Sequence, residues 1–162
     1  MIIRRELPDD AEPLRTLFAA VLSEDLFDKL HADEDWLSSM SFVALGGDDQ
    51  VLGHVAATGG RVESSPVLTL VPPSVDASHR GQGVGQALMN AVLGAAEARE
   101  EPLIGAVAMP TEFLTRFGFH PGEKFSIAPS VGGWTPYFLV RPLTGYTDSL
   151  RGIFYFPKAF GT

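Results

Sequence analysis

Cysteine is absent from this 162-residue chain, which excludes disulfides, thiolate metal sites and a cysteine nucleophile together. Positive charge is scarce: 12 Lys and Arg stand against 20 Asp and Glu, for a net charge of −8. A nucleic-acid binder needs a basic face to displace counterions, so no nucleic-acid partner is expected. No apolar run approaches the roughly 20 residues of a membrane span, and no membrane partner is expected either. The opening Met1-Ile2-Ile3-Arg4-Arg5-Glu6-Leu7 breaks into charge at once and lacks the apolar core of a secretory signal, so a cytoplasmic protein is expected. His31, His54, His79 and His120 lie far apart without ligand spacing, and no metal is expected.

What is present reads as one globular domain spanning residues 1–162, without repeats, low-complexity tracts or linkers. The acidity is uneven. Residues 1–50 hold twelve Asp or Glu against four Lys or Arg, and residues 102–162 hold three against five. An acidic N-terminal third attracts a cationic amine over long range; a solvated helix face around Asp33-Glu34-Asp35 is the alternative reading.

A first strand over residues 2–7 is closed by Pro8, and Asp9 or Asp10 is suited to cap the next helix. Leu14, Leu17, Phe18, Val21 and Leu22 then recur at helical spacing, and a second short helix covers about 24–37. Strand patterns at 42–45 and 51–58 flank Gly46-Gly47-Asp48-Asp49, which reads as a hairpin. A strand from 67 to 75 is interrupted by Pro72-Pro73, which cannot donate to a ladder and mark an edge or a bulge. From Gly83 onward Val84, Leu88, Ala91, Val92 and Ala95 form one apolar helical stripe. Pro102 stops that helix, 103–108 reads as a buried strand, and Pro110 opens a short helix to Arg116. Two more strands are predicted at 137–140 and 152–156. The fold class is α/β or α+β, with helices on a mixed sheet.

Between the interrupted strand and the strong helix lies Val75-Asp76-Ala77-Ser78-His79-Arg80-Gly81-Gln82-Gly83-Val84-Gly85-Gln86. Glycines on alternate positions let a ligand approach the backbone, and the free N–H groups of a helix start attract an anion. Pyrophosphate suits such a cradle, with Arg80 as an added cation. A P-loop would need Gly-Lys-Ser/Thr at the helix start, and a dinucleotide fingerprint would need Gly-x-Gly-x-x-Gly. Gly81-x-Gly83-x-Gly85 is neither. A plain structural loop is the remaining alternative.

Arg80-x-x-Gly83-x-Gly85 resembles the acetyl-CoA motif of the GNAT N-acetyltransferases, Gln/Arg-x-x-Gly-x-Gly/Ala. Residues 70–75 before it and Arg116-Phe117-Gly118-Phe119 after it fall at family-like distances. The tail from Gly152 to Phe160 is similar to that of the YhbS-like group of predicted GNAT proteins. The resemblance implies a mixed, mostly antiparallel sheet with helices on both faces and a splayed central strand pair. It also implies acetyl-CoA as co-substrate and a primary amine of a small molecule or protein as acceptor. Main-chain groups of Pro73, Ser74 and Val75 would then meet pantetheine, and residues 81–86 (Gly81, Gln82, Gly83, Val84, Gly85 and Gln86) would hold the pyrophosphate. Phe117 would pack near the pantetheine end.

The chain departs from the family at two positions: Thr69 stands where histone-type members place a glutamate base, and Leu114 where many place a tyrosine acid. No catalytic residue is assigned on sequence. Glu63 and His54 are candidate bases, and Ser74 and Tyr137 candidate donors to the leaving sulfur. Trp134 and Tyr137 beside Gly132-Gly133 read as a substrate wall or as core aromatics. A non-catalytic acyl-CoA-binding module is the second reading, and a nucleotide-binding regulatory domain a third that rests on the glycine loop alone. The acceptor and the oligomeric state, a homodimer included, stay open.

Overall fold

The computed structural model describes residues 1–161. Among these, nine strands form: β1 (Ile2–Arg5), β2 (Ser41–Leu45), β3 (Val51–Val62), β4 (Ser65–Val75), β5 (Leu103–Val107), β6 (His120–Pro121), β7 (Ile127–Pro129), β8 (Phe138–Pro142) and β9 (Gly152–Tyr155). The α-helices are α1 (Ala11–Val21), α2 (Leu26–Ala32), α3 (Val84–Ala98) and α4 (Glu112–Thr115). The strands join in the order β1-β2-β3-β4-β5-β8-β6, with β9 on β3 and β7 on β9. Only β4/β5 and β7/β9 are parallel. The sheet is therefore mixed and mostly antiparallel, as expected.

Side chains alternate across β2, β3 and β4, so each face receives its own helices. On one face Leu14, Phe18, Phe27 and Leu30 of α1 and α2 pack against Val43, Ala56 and Val71. On the other, Val84, Leu88 and Val92 of α3 pack against Ala44, Val55 and Leu70. Met89, Leu93 and Ala96 complete the buried side of α3, whereas Ala91 and Ala95 from the predicted stripe are only partly buried.

Several expectations need correction. The second helix is confined to Leu26–Ala32. Neither Asp9 nor Asp10 caps α1 through its side chain. Asp10 instead accepts the Leu7 amide at 2.7 Å and pairs with Arg4 at 2.8 Å, fixing the turn out of β1. The acidic run after α2 is not a solvated helix face. Asp33 accepts the amides of Asp35 and Ala159, both at 2.8 Å, and so ties the exit of α2 to the C-terminal segment. The short helix begins at Glu112 rather than Pro110. Strands β6 and β7, of two and three residues, are too short to carry any periodicity and escape a sequence reading.

Pro72 and Pro73 do not break β4, which runs through them to Val75. His54 pairs with Ser74 and Ala56 with Val71, so both prolines face the single residue Val55. That surplus is a bulge, placed where the missing N–H groups cost no ladder bond. On its other side β4 pairs with β5 only at Leu68/Ile104 and Thr69/Gly105. Beyond Thr69 the two parallel strands part.

Gly105 keeps this central pair close to the tail: a Cβ there would run into the Phe154 ring. Phe154 is fully buried and packs on Phe138 at 5.3 Å and Phe156 at 4.8 Å, so it has nowhere to retreat. Gly105→Ala should therefore destabilise the fold by about 1–3 kcal/mol, seen as a lower urea midpoint at unchanged slope.

Candidate functional site

The loop after β4 turns into α3 through Gly81 and Gly83, whose φ values of +76° and +83° suit glycine. At both positions the space a Cβ would occupy is free of other atoms within 4 Å. Gly83 caps α3, and the Ala87 amide, bonded to the Gly83 carbonyl at 3.0 Å, begins the helical ladder. The amides of Val84, Gly85 and Gln86 precede it at the positive end of the helix dipole, where intrahelical partners run out. They border a cleft of about 430 Å³ that Val75 closes at the strand end and that Phe113 of α4 and Arg116 at its C-terminal cap close on the other side. His79 and Arg80 also line it, and no carboxylate belongs to its lining among the described residues. Asp76 orients the His79 ring through Nδ1 at 2.9 Å. Main-chain donors at a helix start suit an anion even in a chain of strongly negative net charge.

Val75, Arg80, Gly81, Gly83, Val84, Gly85 and Gln86 thus line one cleft. Gln82 is exposed and outside the cleft lining. Phe117 lies behind it, 5.1 Å from Phe113, and Phe113 is the ring that faces the loop: a Cβ on Gly85 would sit 3.4 Å from it. His79, Phe113 and Arg116 are the residues sequence reasoning missed. Phe113 and Arg116, three residues apart across α4 and its C-terminal cap, were the available signal.

A second cavity, of about 360 Å³, opens on the α1–α2 face. Leu22, Leu26, Leu30, Val71, Pro72 and Phe160 supply apolar walls, and the Asp25–Lys29 pair at 2.8 Å stands at its rim. Pro72 lines this cavity and Val75 lines the anion cleft, so the stretch of β4 released from β5 connects the two. A larger cavity of about 540 Å³ between α4, β7 and β8 touches none of the glycine-loop residues.

The proton-transfer candidates separate. Thr69 is fully buried and donates to the Gly59 carbonyl at 3.0 Å, and Leu114 belongs to the core. The structure does not bring Glu63 to the others: it sits in the β3–β4 turn, at the far end of β4 from Val75, and accepts the Ile153 amide at 2.6 Å. Tyr137 accepts the Ala108 amide through its carbonyl at 3.0 Å, next to the open end of β5. Trp134 stacks edge-on against Phe156 at 4.9 Å, with the tail aromatics. His54 and Ser74 are directly paired in the β3–β4 ladder, and both are buried.

His54 belongs to a polar network that no spacing in the sequence announces. Its Nε2 lies 2.7 Å from Ser41 Oγ, which is 2.5 Å from Glu6 Oε1. The other Glu6 oxygen is 2.7 Å from His31 Nε2. Burial by itself would raise the Glu6 carboxyl, but hydrogen bonds from His31 and Ser41, with the His54 ring 3.7 Å away, outweigh it and bring the pKa to about 2. Burial also works against a charged His31, yet its bonds to Glu6 and to the Phe27 carbonyl leave that imidazole raised. For His54 burial wins, and its pKa is lowered.

The fold is a mixed sheet covered on both faces, with a splayed parallel pair beside a glycine-rich helix start. The chain belongs to the acetyltransferase (GNAT) family, whose pattern matches residues 7–119. No curated protein sequence matches it. Among solved structures, the YhbS GNAT-family N-acetyltransferase of Escherichia coli in complex with CoA is similar over 99% of this chain and 92% of its own, at 21% identity and a TM-score of 0.85. A GNAT-family acetyltransferase from Brucella melitensis in complex with acetyl-CoA is similar over 98% and 97%, at 23% identity and a TM-score of 0.74. An aminoglycoside 6'-N-acetyltransferase complexed with coenzyme A is similar over 88% and 97%, at 16% identity and a TM-score of 0.66.

The Glu6 network makes a prediction for stability. A carboxyl lowered from 4.5 to about 2 adds stability that is complete above pH 4.5 and is lost as pH falls toward 2. Glu6→Gln should flatten the stability–pH curve across that window, as followed by urea denaturation at successive pH values.

Proposed function

We propose that the chain, acting as one domain, transfers an acetyl group from acetyl-CoA to a primary amine of a small molecule or protein. The observation that carries this reading is the anion cradle at residues 80–86, joined by the released edge of β4 to an apolar cavity on the opposite face. The amides of Val84, Gly85 and Gln86 hold the pyrophosphate, with Arg80 and Arg116 as cationic neighbours. Main-chain groups of Pro73, Ser74 and Val75 meet pantetheine along the strand edge that β5 leaves. An amide of this stretch aimed at the thioester oxygen stabilises the charge that develops there. The acceptor enters through the cavity between Leu22, Leu26 and Pro72.

In the reaction the amine nitrogen forms a bond to the thioester carbon, the C–S bond breaks, and sulfur leaves with its electron pair. An alkylamine of pKa ~10.4 is mostly protonated at pH 7, and freeing its lone pair costs roughly 4 to 5 kcal/mol. Holding amine and thioester in line recovers about 7 to 11 kcal/mol of the barrier in favourable cases.

The second reading, a non-catalytic acyl-CoA-binding module, draws support from Thr69, whose hydroxyl is buried and committed to the Gly59 carbonyl, and from Leu114, whose side chain has no proton to exchange. Acetyl-CoA at 100 times its Kd should raise stability by about 2.7 kcal/mol under either reading, visible as a rise in Tm, while ATP or NAD does not. Thiol release with a panel of an alkylamine, a polyamine, an aminoglycoside and a free peptide N terminus should occur only for the enzyme; binding without release from any of them favours the module.

Gly83→Val places a branched side chain at φ +83° and in the open mouth of the cradle. It should abolish the acetyl-CoA-dependent rise in Tm while leaving a cooperative melt. A variant that still responds to acetyl-CoA as the parent does removes the cradle from the cofactor site.

A further inference from the structure

Among the described residues, two buried side-chain polar atoms have no hydrogen-bond partner: His54 Nδ1 and Ser74 Oγ. They belong to residues directly opposed in the antiparallel β3–β4 pair, and hence to the same face of the sheet. Opposed residues hold their Cβ atoms about 4.5–5.5 Å apart, a span that one side-chain rotation or a single water closes. Orphaned buried polar groups are rare enough to need a reason.

The rest of the network fixes what His54 offers. Glu6, at a pKa of about 2, is a carboxylate that only accepts, so the single Ser41 proton is donated to it. Ser41 Oγ then accepts from His54, which places the His54 proton on Nε2. Nδ1 is left as a bare lone pair without a partner, on the residue paired with Ser74. His31 lies between two acceptors, the Phe27 carbonyl at 2.8 Å and Glu6 at 2.7 Å, so both its nitrogens carry protons and it is a cation. Around His54 stand Phe18 from α1 at 5.1 Å, His31 from α2, Ser41 from β2, Glu6 beyond β1 at 3.7 Å and Ser74 from β4. Within this set Glu6 is the group that stabilises an imidazolium, and His31 the one that opposes it.

Ser74 sits beside the released edge, with its side chain buried and lining neither cavity. On β4 it lies between Pro72, in the apolar cavity, and Val75, in the anion cleft, within the stretch released from β5. We infer that His54 is the general base of acetyl transfer, acting through the Ser74 hydroxyl and held in its Nε2–H form by Ser41 and Glu6. As the amine attacks, its proton passes to Ser74 Oγ while the Ser74 proton passes to His54 Nδ1. When the C–S bond breaks, the same path returns one proton to the departing sulfur, so Ser74 and His54 end as they began. The inference rests on the acetyltransferase reading and supplies the base that Thr69 and Leu114 do not.

Ser74→Ala and His54→Gln test it, each assayed with acetyl-CoA and the amine of the panel above that the parent acetylates fastest. Both should lose about 100-fold in kcat, with KM for acetyl-CoA and the acetyl-CoA-dependent rise in Tm preserved. The acid limb of the kcat/KM profile should disappear in His54→Gln. Loss of less than threefold in both, with the parent pH profile retained, overturns the inference while leaving the acetyltransferase reading intact. Nitrogen NMR of labelled histidines decides the matter independently of turnover. His54 should appear at pH 7 as the neutral Nε2–H tautomer, with an Nδ1 resonance that moves in Ser74→Ala. A proton on Nδ1, or a resonance indifferent to Ser74, overturns the inference even if no amine is acetylated. A parent protein that acetyl-CoA fails to stabilise counts instead against the acetyltransferase reading.

Discussion

Parallel pairing between β4 and β5 stops at Thr69 and Gly105, and beyond that point no ladder joins the two strands. A strand in the middle of a sheet is ordinarily saturated on both edges, so its backbone is closed to ligands. Here β4 stays bonded to β3 as far as Val75 while its other edge is released, and the bulge at Pro72-Pro73 falls within the released stretch. The two prolines suit this position because neither has an N–H to satisfy. A rigid strand with one free edge is what makes room for an extended ligand inside a packed sheet.

The rest of the site is arranged along that edge. At one end α3 begins, and its unpaired first-turn amides give a positive potential that needs no basic side chain. This reconciles an anion site with a net charge of −8. Acidic residues elsewhere have structural uses: Asp10 and Arg4 fix the exit of β1, and Asp33 holds the C-terminal segment against α2. At the other end of the released stretch the walls are apolar, contributed by the end of α1, by α2 and by Phe160.

Beneath the sheet, Glu6, His31, Ser41 and His54 form a polar cluster within an otherwise apolar layer. Such a cluster is costly unless every member is satisfied, and here the bonds are complete except at one ring nitrogen. Four elements that share no contiguous sequence meet there: the turn after β1, α2, β2 and β3. The cluster therefore fixes their mutual arrangement as well as the protonation of each histidine.

The sequence by itself determined the glycine cradle, the strong helix behind it, the β2–β3 hairpin and the lack of a base or acid at Thr69 and Leu114. These are local: a loop conformation that needs Gly81 and Gly83, or an apolar period of 3.6, is written in neighbouring residues. The strands named from residues 42 to 75 are long enough for their pattern to register. Tertiary structure alone decided which side chains share a site. Phe113 rather than Phe117 faces the loop because α4 presents its first turn there, and Glu63 is removed because it occupies the opposite end of a long strand. His54 acquires its environment from residues 13 to 48 positions away in the chain, through pairings that spacing cannot encode. Contacts between distant segments depend on register and helix packing, and those are settled only when the whole sheet closes around its core.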